Sequence, residues 1–295
     1  MTSDSRIEHA SRVPDVGYDL IAIDLDGTLL DSEQRLAERN RRALHAAHAA
    51  GLKIVICTGR SFPETRPILR EIGLDMDASV TAGGALISDP DSGDTLESIE
   101  MTSELARELI DWFSRRDYVV LVLHDGSRAD FDGVAIDAAI RHPAVVRWLN
   151  ETPIRMRAVA SGTSLEHAPL RISIVDDTDK LRELERPFRQ HFSSRAAHNV
   201  IRVPAFDFTV IEAFAPSVSK WDAIRRLCRR WRIDPRRTIA IGDDVNDLPM
   251  LEHAGLGVAM ANAGDAVRDG ADRVTRSNDE CGVAELLEEL CGSTS

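Results

Sequence analysis

Cysteine is scarce in this 295-residue sequence, and no two cysteines lie close together. Cys57, Cys228, Cys281 and Cys291 are scattered, and the sequence has no Cys-x-x-Cys motif. Zinc sites and redox-active dithiols are usually built on such close pairs, while disulfides belong to oxidising compartments. We therefore predict a cytoplasmic protein that has neither disulfides nor a zinc site.

Positively charged residues are fewer than negatively charged ones. The chain has 36 Lys and Arg against 49 Asp and Glu, which gives a formal net charge of −13. An acidic protein is repelled by the phosphates of nucleic acids and of anionic lipid headgroups, so neither is expected as a partner. A small phosphorylated substrate would need a local cation in order to approach an acidic site.

The sequence also has no long hydrophobic run. The longest apolar stretch, Tyr118 to Leu123, is far too short to span a bilayer, so no membrane partner is predicted. Residues 1–16 are polar, have no apolar segment of the kind found in a secretory signal, and are predicted to form a flexible tail. The phosphate-binding P-loop pattern is missing as well.

The first chemically distinctive segment is a short apolar run that ends in two acids. Leu20 to Ile23 is typical of a buried strand, and Asp24 and Asp26 follow it. In a regular strand the two acids would share one face, and Gly27 would let the chain turn. Two such carboxylates suit Mg²⁺ and a phosphate, with one acid attacking phosphorus and the other moving protons. The alternative is a capped strand end with solvated acids; a calcium loop is excluded because Leu29 occupies its glycine position.

A second apolar strand ends in groups that suit phosphate. Residues 32–50 are predicted to form a helix and Lys53 to Cys57 the next strand, which Thr58 and Gly59 follow. This strand-helix-strand order favours parallel neighbouring strands, so Thr58 and Gly59 would lie beside Asp24 at one edge of the sheet. A Thr hydroxyl and a Gly backbone N–H suit phosphate oxygens, although a plain strand-to-helix turn has the same pattern.

A similar arrangement occurs near the C-terminus. Lys220 precedes a predicted helix from Trp221 to Trp231, and the strand Thr238 to Gly242 then leads into Asp243 and Asp247. Taken alone, the lysine would be a surface residue and the two acids would belong to a helix N-terminus. Together with the first two strand ends, they favour a phosphate site in which acids hold Mg²⁺ and the lysine contacts phosphoryl oxygens.

The middle of the chain has a different pattern. Residues 85–214 contain short predicted strands and helices, which indicates a separate α/β unit whose sheet is partly antiparallel. The predicted strands are Leu96–Met101, Tyr118–Leu123, Leu170–Val175, Asn199–Val203 and Phe208–Phe214, and the predicted helices are Ser103–Arg115 and Asp179–His191. Residues 124–168 show only weak periodicity and receive no assignment.

Four motifs occur in order along the chain. They are Asp24-Leu25-Asp26-Gly27-Thr28-Leu29-Leu30, Thr58-Gly59-Arg60, Val218-Ser219-Lys220 and Gly242-Asp243-Asp244-Val245-Asn246-Asp247-Leu248-Pro249-Met250-Leu251. Together with Val258–Ala263, Ala271–Thr275 and Asn278–Ala284, they resemble the haloacid dehalogenase superfamily, specifically its Cof-type branch of Mg²⁺-dependent phosphatases. The resemblance implies an α/β fold with a Rossmann-like parallel-sheet core, residues 17–84 and 215–292, and an inserted α/β cap, residues 85–214.

The resemblance also implies a role for each motif residue. Asp24 would be the nucleophile that forms an aspartyl-phosphate, and Asp26 would protonate the leaving group and then activate water. The Mg²⁺ ligands would be acidic residues of the first and fourth motifs: Asp24, Asp26 through its backbone carbonyl, Asp243 and, directly or through water, Asp247. The phosphoryl group would be held by polar groups of the last three motifs: Thr58, Gly59, Lys220 and Asn246. The role of Arg60 stays open.

The sequence departs from this branch at three positions. Asparagine is usual at the position of Gly83, glycine is common at that of Ser217, and glycine usually follows the lysine where Trp221 stands. None of these departures removes a catalytic group, so those at Gly83 and Trp221 are expected to affect specificity and not the chemistry. The middle unit has three candidates for ligand contact, and a solvated or structural role is the favoured alternative for each of them: His124, Asp125 and Arg171.

The expected activity is hydrolysis of a small phosphomonoester. Sugar phosphates are favoured as substrates, and nucleotide-type or cofactor-type phosphates come next. A phosphomutase is the nearest enzymatic alternative, since the same core can transfer a phosphoryl group to another hydroxyl. A non-catalytic ligand-binding protein normally requires loss of the nucleophile, and Asp24 is present. The sequence does not specify the oligomeric state.

Overall fold

A computed structural model describes residues 17–136, 143–160, 162, 164–203 and 208–292. Within these residues there are fourteen strands: β1 Leu20–Ile23, β2 Lys53–Cys57, β3 Ser79–Thr81, β4 Leu86–Ser88, β5 Thr95–Ser98, β6 Val120–Leu123, β7 Gly133–Ile136, β8 Met156–Val159, β9 Arg171–Asp176, β10 Ala197–Val203, β11 Phe208–Phe214, β12 Thr238–Gly242, β13 Leu256–Ala259 and β14 Arg273–Val274. The same residues form nine α-helices: α1 Glu38–Ala49, α2 Phe62–Ile72, α3 Ser103–Ser114, α4 Pro143–Glu151, α5 Thr178–Phe192, α6 Lys220–Trp231, α7 Leu248–His253, α8 Asp265–Asp269 and α9 Gly282–Gly292. The predicted N-terminal tail, residues 1–16, lies outside the described residues.

The first of two sheets is built from both ends of the chain. Its strand order is β14-β13-β12-β1-β2-β3-β4-β5, and β12, β1, β2 and β3 run parallel to one another. In the centre, Ile23 of β1 lies opposite Ile56 of β2 on one side and opposite Ile241 of β12 on the other. The polar residues that follow these three strands therefore meet at one edge of the sheet.

Helices cover both faces of this sheet. Ile23 packs in a core with Leu44 of α1 and Leu286 of α9 on one face, whereas Ala22 packs with Ile224 of α6 on the other. Successive side chains of a strand point to opposite faces, so a strand covered on both sides is apolar throughout. The structure confirms the predicted α/β class. No helix in the described ranges combines the length and the apolar character needed to cross a membrane.

The second sheet is formed by the middle of the chain. Its strand order is β10-β11-β9-β6-β7-β8, and its pairs are antiparallel except for β7 with β8. Helices α3 and α5 pack on it through large aromatic side chains, including Trp112, Phe113, Phe188 and Phe192. The separate domain stays a prediction, while this part of the chain forms a mostly antiparallel sheet with helices packed on it. This part also contains β7, α4 and β8, which lie in the segment that the sequence left unassigned.

The pairing of β4 and β5 bears on the boundary of the middle unit. These two strands form an antiparallel hairpin that extends the first sheet, with Leu86 opposite Ser98. They lie inside the range 85–214 that the sequence suggested for the inserted unit. From the strand pairing, we propose that this unit begins after Ser98 and ends with β11 at Phe214.

The first helix is shorter than predicted. It begins at Glu38, although the sequence pattern suggested a helix from residue 32. The carboxylate of Asp31 accepts hydrogen bonds from the backbone N–H groups of Glu33 and Arg35, each at 2.9 Å, and Gln34 between them has a φ of 63°. A turn held by a local side chain competes with a helix, so residues 32–37 precede α1 without joining it.

Candidate active site

Asp24 lies directly after β1 and is buried, with 5% of the residue exposed. Its backbone N–H donates to the carbonyl oxygen of Ile241 in β12 at 3.0 Å, so the residue is held at the edge where the strand ends meet. Burial is the largest influence on its pKa and raises it well above the usual value, with the neighbouring acids adding to this and Lys220 opposing it. Asp24 is therefore a carboxyl group whose charged form needs a cation close by.

Asp26 does not share a face with Asp24, so the expectation of a regular strand is wrong here. The strand ends at Ile23, and residues 25–29 form a turn that is closed by a hydrogen bond from the Leu30 N–H to the Leu25 carbonyl oxygen; its backbone is not helical at Asp26 or at Gly27, which has a φ of 75°. The turn leaves the Asp26 side chain 46% exposed, compared with 7% for Asp24. Both carboxylate oxygens of Asp26 accept hydrogen bonds from the guanidinium of Arg60. Arg60, whose role the sequence left open, therefore orients Asp26 in this structure.

Lys220 joins two of the buried acids. Its Nζ donates to Oδ1 of Asp24 and to Oδ1 of Asp247, each at 2.6 Å, and its side chain is 2% exposed. Burial lowers the pKa of Lys220, but the charges of Asp24 and Asp247 more than compensate and raise it well above its usual value. The ammonium group therefore stays charged and neutralises part of the acidic cluster.

The fourth motif brings two further carboxylates to this point. Oxygen atoms of Asp24, Asp243 and Asp247 all lie within 4.8 Å of one another. Oδ2 of Asp247 accepts from the backbone N–H groups of Asp243 and Asp244, each at 3.1 Å, and Oδ1 accepts from Lys220. A carboxylate has about four lone pairs, so Asp247 keeps one for a further partner and Asp24 and Asp243 keep more. Hard oxygen donors in this number fit Mg²⁺.

The second motif lies beside this cluster, as predicted from the strand order. Thr58 and Gly59 follow β2, and the Thr58 hydroxyl oxygen accepts from the backbone N–H of Arg60 at 3.2 Å, which leaves the hydroxyl hydrogen for another acceptor. The amide nitrogen of Asn246 would lie 3.9 Å from a Cβ built on Gly59. The amide oxygen of Asn246 is buried and has no hydrogen-bond partner among the described residues. An unpaired buried polar atom of this kind suits a position next to a ligand.

Of the three middle-unit candidates, Arg171 has a hydrogen bond to a motif residue. Its Nη1 donates to the carbonyl oxygen of Gly59 at 2.8 Å and forms a buried ion pair with Glu212 of β11. Burial raises the pKa of Glu212, and the charge of Arg171 opposes this. Asp125 instead accepts hydrogen bonds from Thr95 and Ser127, as a structural residue would. No sequence signal connects Arg171 with Glu212, because they meet only when β9 pairs with β11.

Two of the departures from the branch have a packing explanation. Gly83 has a φ of 65°, and a Cβ there would lie 3.0 Å from the ring of Phe214, which therefore fills the space of the missing side chain. Trp221 is buried in the core beneath α6, where its ring stacks on His253 of α7 with the centroids 6.0 Å apart. Trp221 thus contributes to packing between two helices.

Replacing Gly27 with alanine should displace Asp243. A Cβ on Gly27 would lie 2.2 Å from Oδ2 of Asp243, and a φ of 75° strains any residue with a side chain. We expect Gly27→Ala to lower the free energy of unfolding by about 1–3 kcal/mol and to weaken Mg²⁺ binding about tenfold. Gly264→Ala is the matched control, since its Cβ would meet nothing within 4 Å. Thermal unfolding with and without Mg²⁺ measures both quantities, and equal effects of the two substitutions would contradict the expectation.

Similarity to known proteins extends over almost the whole chain. Residues 21–287 match the family of haloacid dehalogenase-like hydrolases. YxeH of Bacillus subtilis strain 168, which is assigned as a phosphatase, is 31% identical over 275 residues, covering 92% of this chain and 98% of its own. YwtE of the same strain, a 5-amino-6-(5-phospho-D-ribitylamino)uracil phosphatase, is 30% identical over 295 residues, covering 92% of this chain and 97% of its own.

A solved structure has the same fold. It is that of a haloacid dehalogenase-like hydrolase from B. subtilis, which superposes with a TM-score of 0.77 at 25% sequence identity and covers 92% of this chain and 99% of its own. The sequence match, the shared fold and the grouping of the motif residues at one sheet edge agree with one another. This chain belongs to the haloacid dehalogenase-like hydrolases.

Proposed function

We propose that this protein hydrolyses small phosphomonoesters in an Mg²⁺-dependent reaction that passes through an aspartyl-phosphate on Asp24. The observation that supports this most is the buried ammonium of Lys220, 2.6 Å from both Asp24 and Asp247, next to a cluster of three carboxylates that includes Asp243. The carboxylates suit a divalent cation, and the ammonium suits phosphoryl oxygens. The phosphatases among the relatives support the same reaction class.

In the proposed reaction Asp24 forms the bond to phosphorus while the ester oxygen leaves. Asp26 gives a proton to the leaving oxygen and then takes one from the water that hydrolyses the aspartyl-phosphate. Bound Mg²⁺, held by Asp24, Asp243, Asp247 and the backbone carbonyl of Asp26, would offset the negative charge of the phosphoryl group. The phosphoryl oxygens would be bound by Thr58, Gly59, Lys220 and Asn246. Arg60 binds both Asp26 oxygens in this structure, so one of these contacts would open when an Asp26 oxygen carries the proton for the leaving group.

The substrate class is proposed to be phosphate esters of polyhydroxylated compounds, with sugar phosphates favoured. The name of the relative YwtE describes a phosphorylated ribityl chain, which is an open-chain polyol phosphate. We propose that residues 99–214 form a cap over the site, since Arg171 of this unit binds the Gly59 carbonyl. Closure of such a cap would exclude water during the attack, and opening would release the product.

A panel of phosphomonoesters tests this proposal. Phosphate release is measured for hexose, pentose and polyol phosphates, nucleoside monophosphates and phosphorylated cofactors, with Mg²⁺ and with EDTA. We expect sugar or polyol phosphates to be hydrolysed best and EDTA to stop the reaction. Conversion of one sugar phosphate into its isomer without free phosphate would instead support the phosphomutase alternative. The absence of turnover on the whole panel would contradict the proposed hydrolase.

Mg²⁺ binding should weaken as the pH falls below neutrality. Burial, followed by the charge of Asp247, raises the pKa of Asp243 to about 7 in the metal-free protein. Below that pH the metal must displace a proton, so the apparent affinity should fall about tenfold per pH unit. The same pKa shift affects the stability of the metal-free protein in the opposite direction. A carboxyl whose pKa is raised in the folded state stabilises that state while protonated, and this contribution is lost as the pH rises through about 7. Mg²⁺ titrations from about pH 5.5 to about pH 8.5 measure the effect, and a pH-independent affinity would contradict it.

A further inference from the structure

Three asparagine side chains hold the loop that follows Asp24. The amide groups of Asn40, Asn278 and Asn262 donate to three backbone carbonyls within residues 27–30, at 3.0, 2.9 and 2.8 Å respectively. Asn262 and Asn278 come from the C-terminal part of the chain, which is thereby tied to the first motif. The loop therefore depends on partners that are distant in the sequence.

Asn262 differs from the other two because it also reaches Asp243. Its Nδ2 lies 2.8 Å from the carbonyl oxygen of Gly27 and 3.5 Å from Oδ2 of Asp243. Its Oδ1 accepts from the backbone N–H of Asn278 at 3.0 Å. A backbone N–H only donates and a backbone carbonyl only accepts, so these two partners determine which way the amide faces. The two hydrogens on Nδ2 are consequently directed at Gly27 and Asp243.

The carboxylate of Asp243 is thus held from three sides. The hydroxyl of Thr28 donates to Oδ1 at 2.9 Å, and Asn262 faces Oδ2. On the third side Gly27 is so close that a Cβ on it would lie 2.2 Å from Oδ2. Groups that fix the orientation of a metal-binding carboxylate commonly contribute tenfold to a hundredfold to the metal affinity.

We propose that Asn262 is a positioning residue for the metal. Its amide orients Asp243 and the Gly27 carbonyl, so that the carboxylate meets Mg²⁺ already in its binding geometry. This inference rests on the proposed Mg²⁺-dependent function. Without the Asn262 amide, Oδ2 of Asp243 loses its donor and the carboxylate gains freedom to rotate. The loss then falls on Mg²⁺ affinity and not on contact with the substrate.

The test compares Asn262→Ala with Asn278→Ala in the full chain. Asn278→Ala removes a hydrogen bond to the same loop, because the Asn278 amide donates to the Leu30 carbonyl, but it keeps the backbone N–H that donates to Asn262. The Mg²⁺ dissociation constant is measured from the Mg²⁺-dependent rise in the unfolding temperature, without substrate. We expect about a tenfold weaker Mg²⁺ affinity in Asn262→Ala and a change below about twofold in Asn278→Ala. Phosphate release by Asn262→Ala should recover in excess Mg²⁺, with the KM for substrate unchanged.

Several outcomes would overturn the inference. They are a native Mg²⁺ affinity in Asn262→Ala, an equal loss in Asn278→Ala, and no Mg²⁺-dependent stabilisation of the native protein. Asn262 is exposed, so the loss of its side chain is compatible with folding. If the alanine variant does not fold, Asn262→Ser provides the same test, because the serine hydroxyl is too short to reach Asp243. If the two variants show the expected Mg²⁺ affinities but the native protein releases no phosphate, only the hydrolase proposal is contradicted.

Discussion

Asp24→Asn should abolish phosphate release and leave the fold intact. An amide does not attack phosphorus as a carboxylate does, so we expect a loss of at least about a thousandfold in kcat. The new side chain has the same shape, and its oxygen can still accept the hydrogen bond from Lys220 that Asp24 accepts at 2.6 Å. Lys220 keeps its ion pair with Asp247 at 2.6 Å, and burial already raises the pKa of Asp24, so replacing Asp24 with a neutral side chain should not lower the unfolding temperature.

The matched control for this substitution is Asp19→Asn. Asp19 lies just before β1, at the opposite end of the strand from Asp24, and pairs with Arg237 at 2.6 Å. Its substitution should change the rate of phosphate release by less than about twofold. Initial rates on the best substrate and thermal unfolding are measured for both variants. Phosphate release that survives Asp24→Asn would exclude an aspartyl-phosphate on this residue.

Lys220→Met should destabilise the metal-free protein more than any surface substitution. The ammonium is 2% exposed and lies between Asp24 and Asp247, whose side chains are 7% and 0% exposed. Methionine fills a similar volume but leaves two buried carboxylates facing each other without a cation. Removing one partner of such a buried ion pair costs about 3–5 kcal/mol of unfolding free energy. Phosphate release should fall as well, since the proposed phosphoryl contact is lost.

The pH dependence of the stability of Lys220→Met provides a second test of the buried carboxylate pair. Burial and the neighbouring acids already raise the pKa of Asp24 above its unfolded value, and loss of the lysine raises it further. A carboxyl with a raised pKa stabilises the folded state while protonated, so the variant should lose stability relative to the native protein as the pH rises. Mg²⁺ should restore part of the stability by replacing the missing cation.

Lys180→Met is the control for the lysine substitution. Lys180 is 61% exposed and pairs with Asp176 at 2.9 Å on the surface. Exposed pairs contribute less than about 1 kcal/mol, so this variant should unfold like the native protein at every pH. Chemical unfolding between about pH 5 and about pH 8 distinguishes the two variants. A stability loss in Lys220→Met that stays constant over this range would contradict the buried carboxylate pair.

Much of the fold could be predicted from local patterns in the sequence. The near-continuous apolar runs of β1, β2 and β12 were sufficient to indicate a sheet with both faces covered, because a half-exposed strand would alternate polar and apolar residues. The strand-helix-strand order was sufficient to place Thr58 beside Asp24. Weak periodicity left β7, α4 and β8 unassigned. Of these, β8 is a short, largely solvent-accessible strand whose pattern resembles a loop.

The sequence by itself determined the α/β class, the order of the motifs and the residue types available for a phosphate site. Only the tertiary structure decided where the side chains face. The tight turn at residues 25–29 separates Asp26 from Asp24 and leaves it paired with Arg60, although a strand period of two would put both acids on one face. The contacts of Arg171 with Gly59 and of Asn262 with Asp243 join segments that are far apart in the chain. Sequence periodicity describes neighbours along one element, whereas such contacts arise only when the elements pack together.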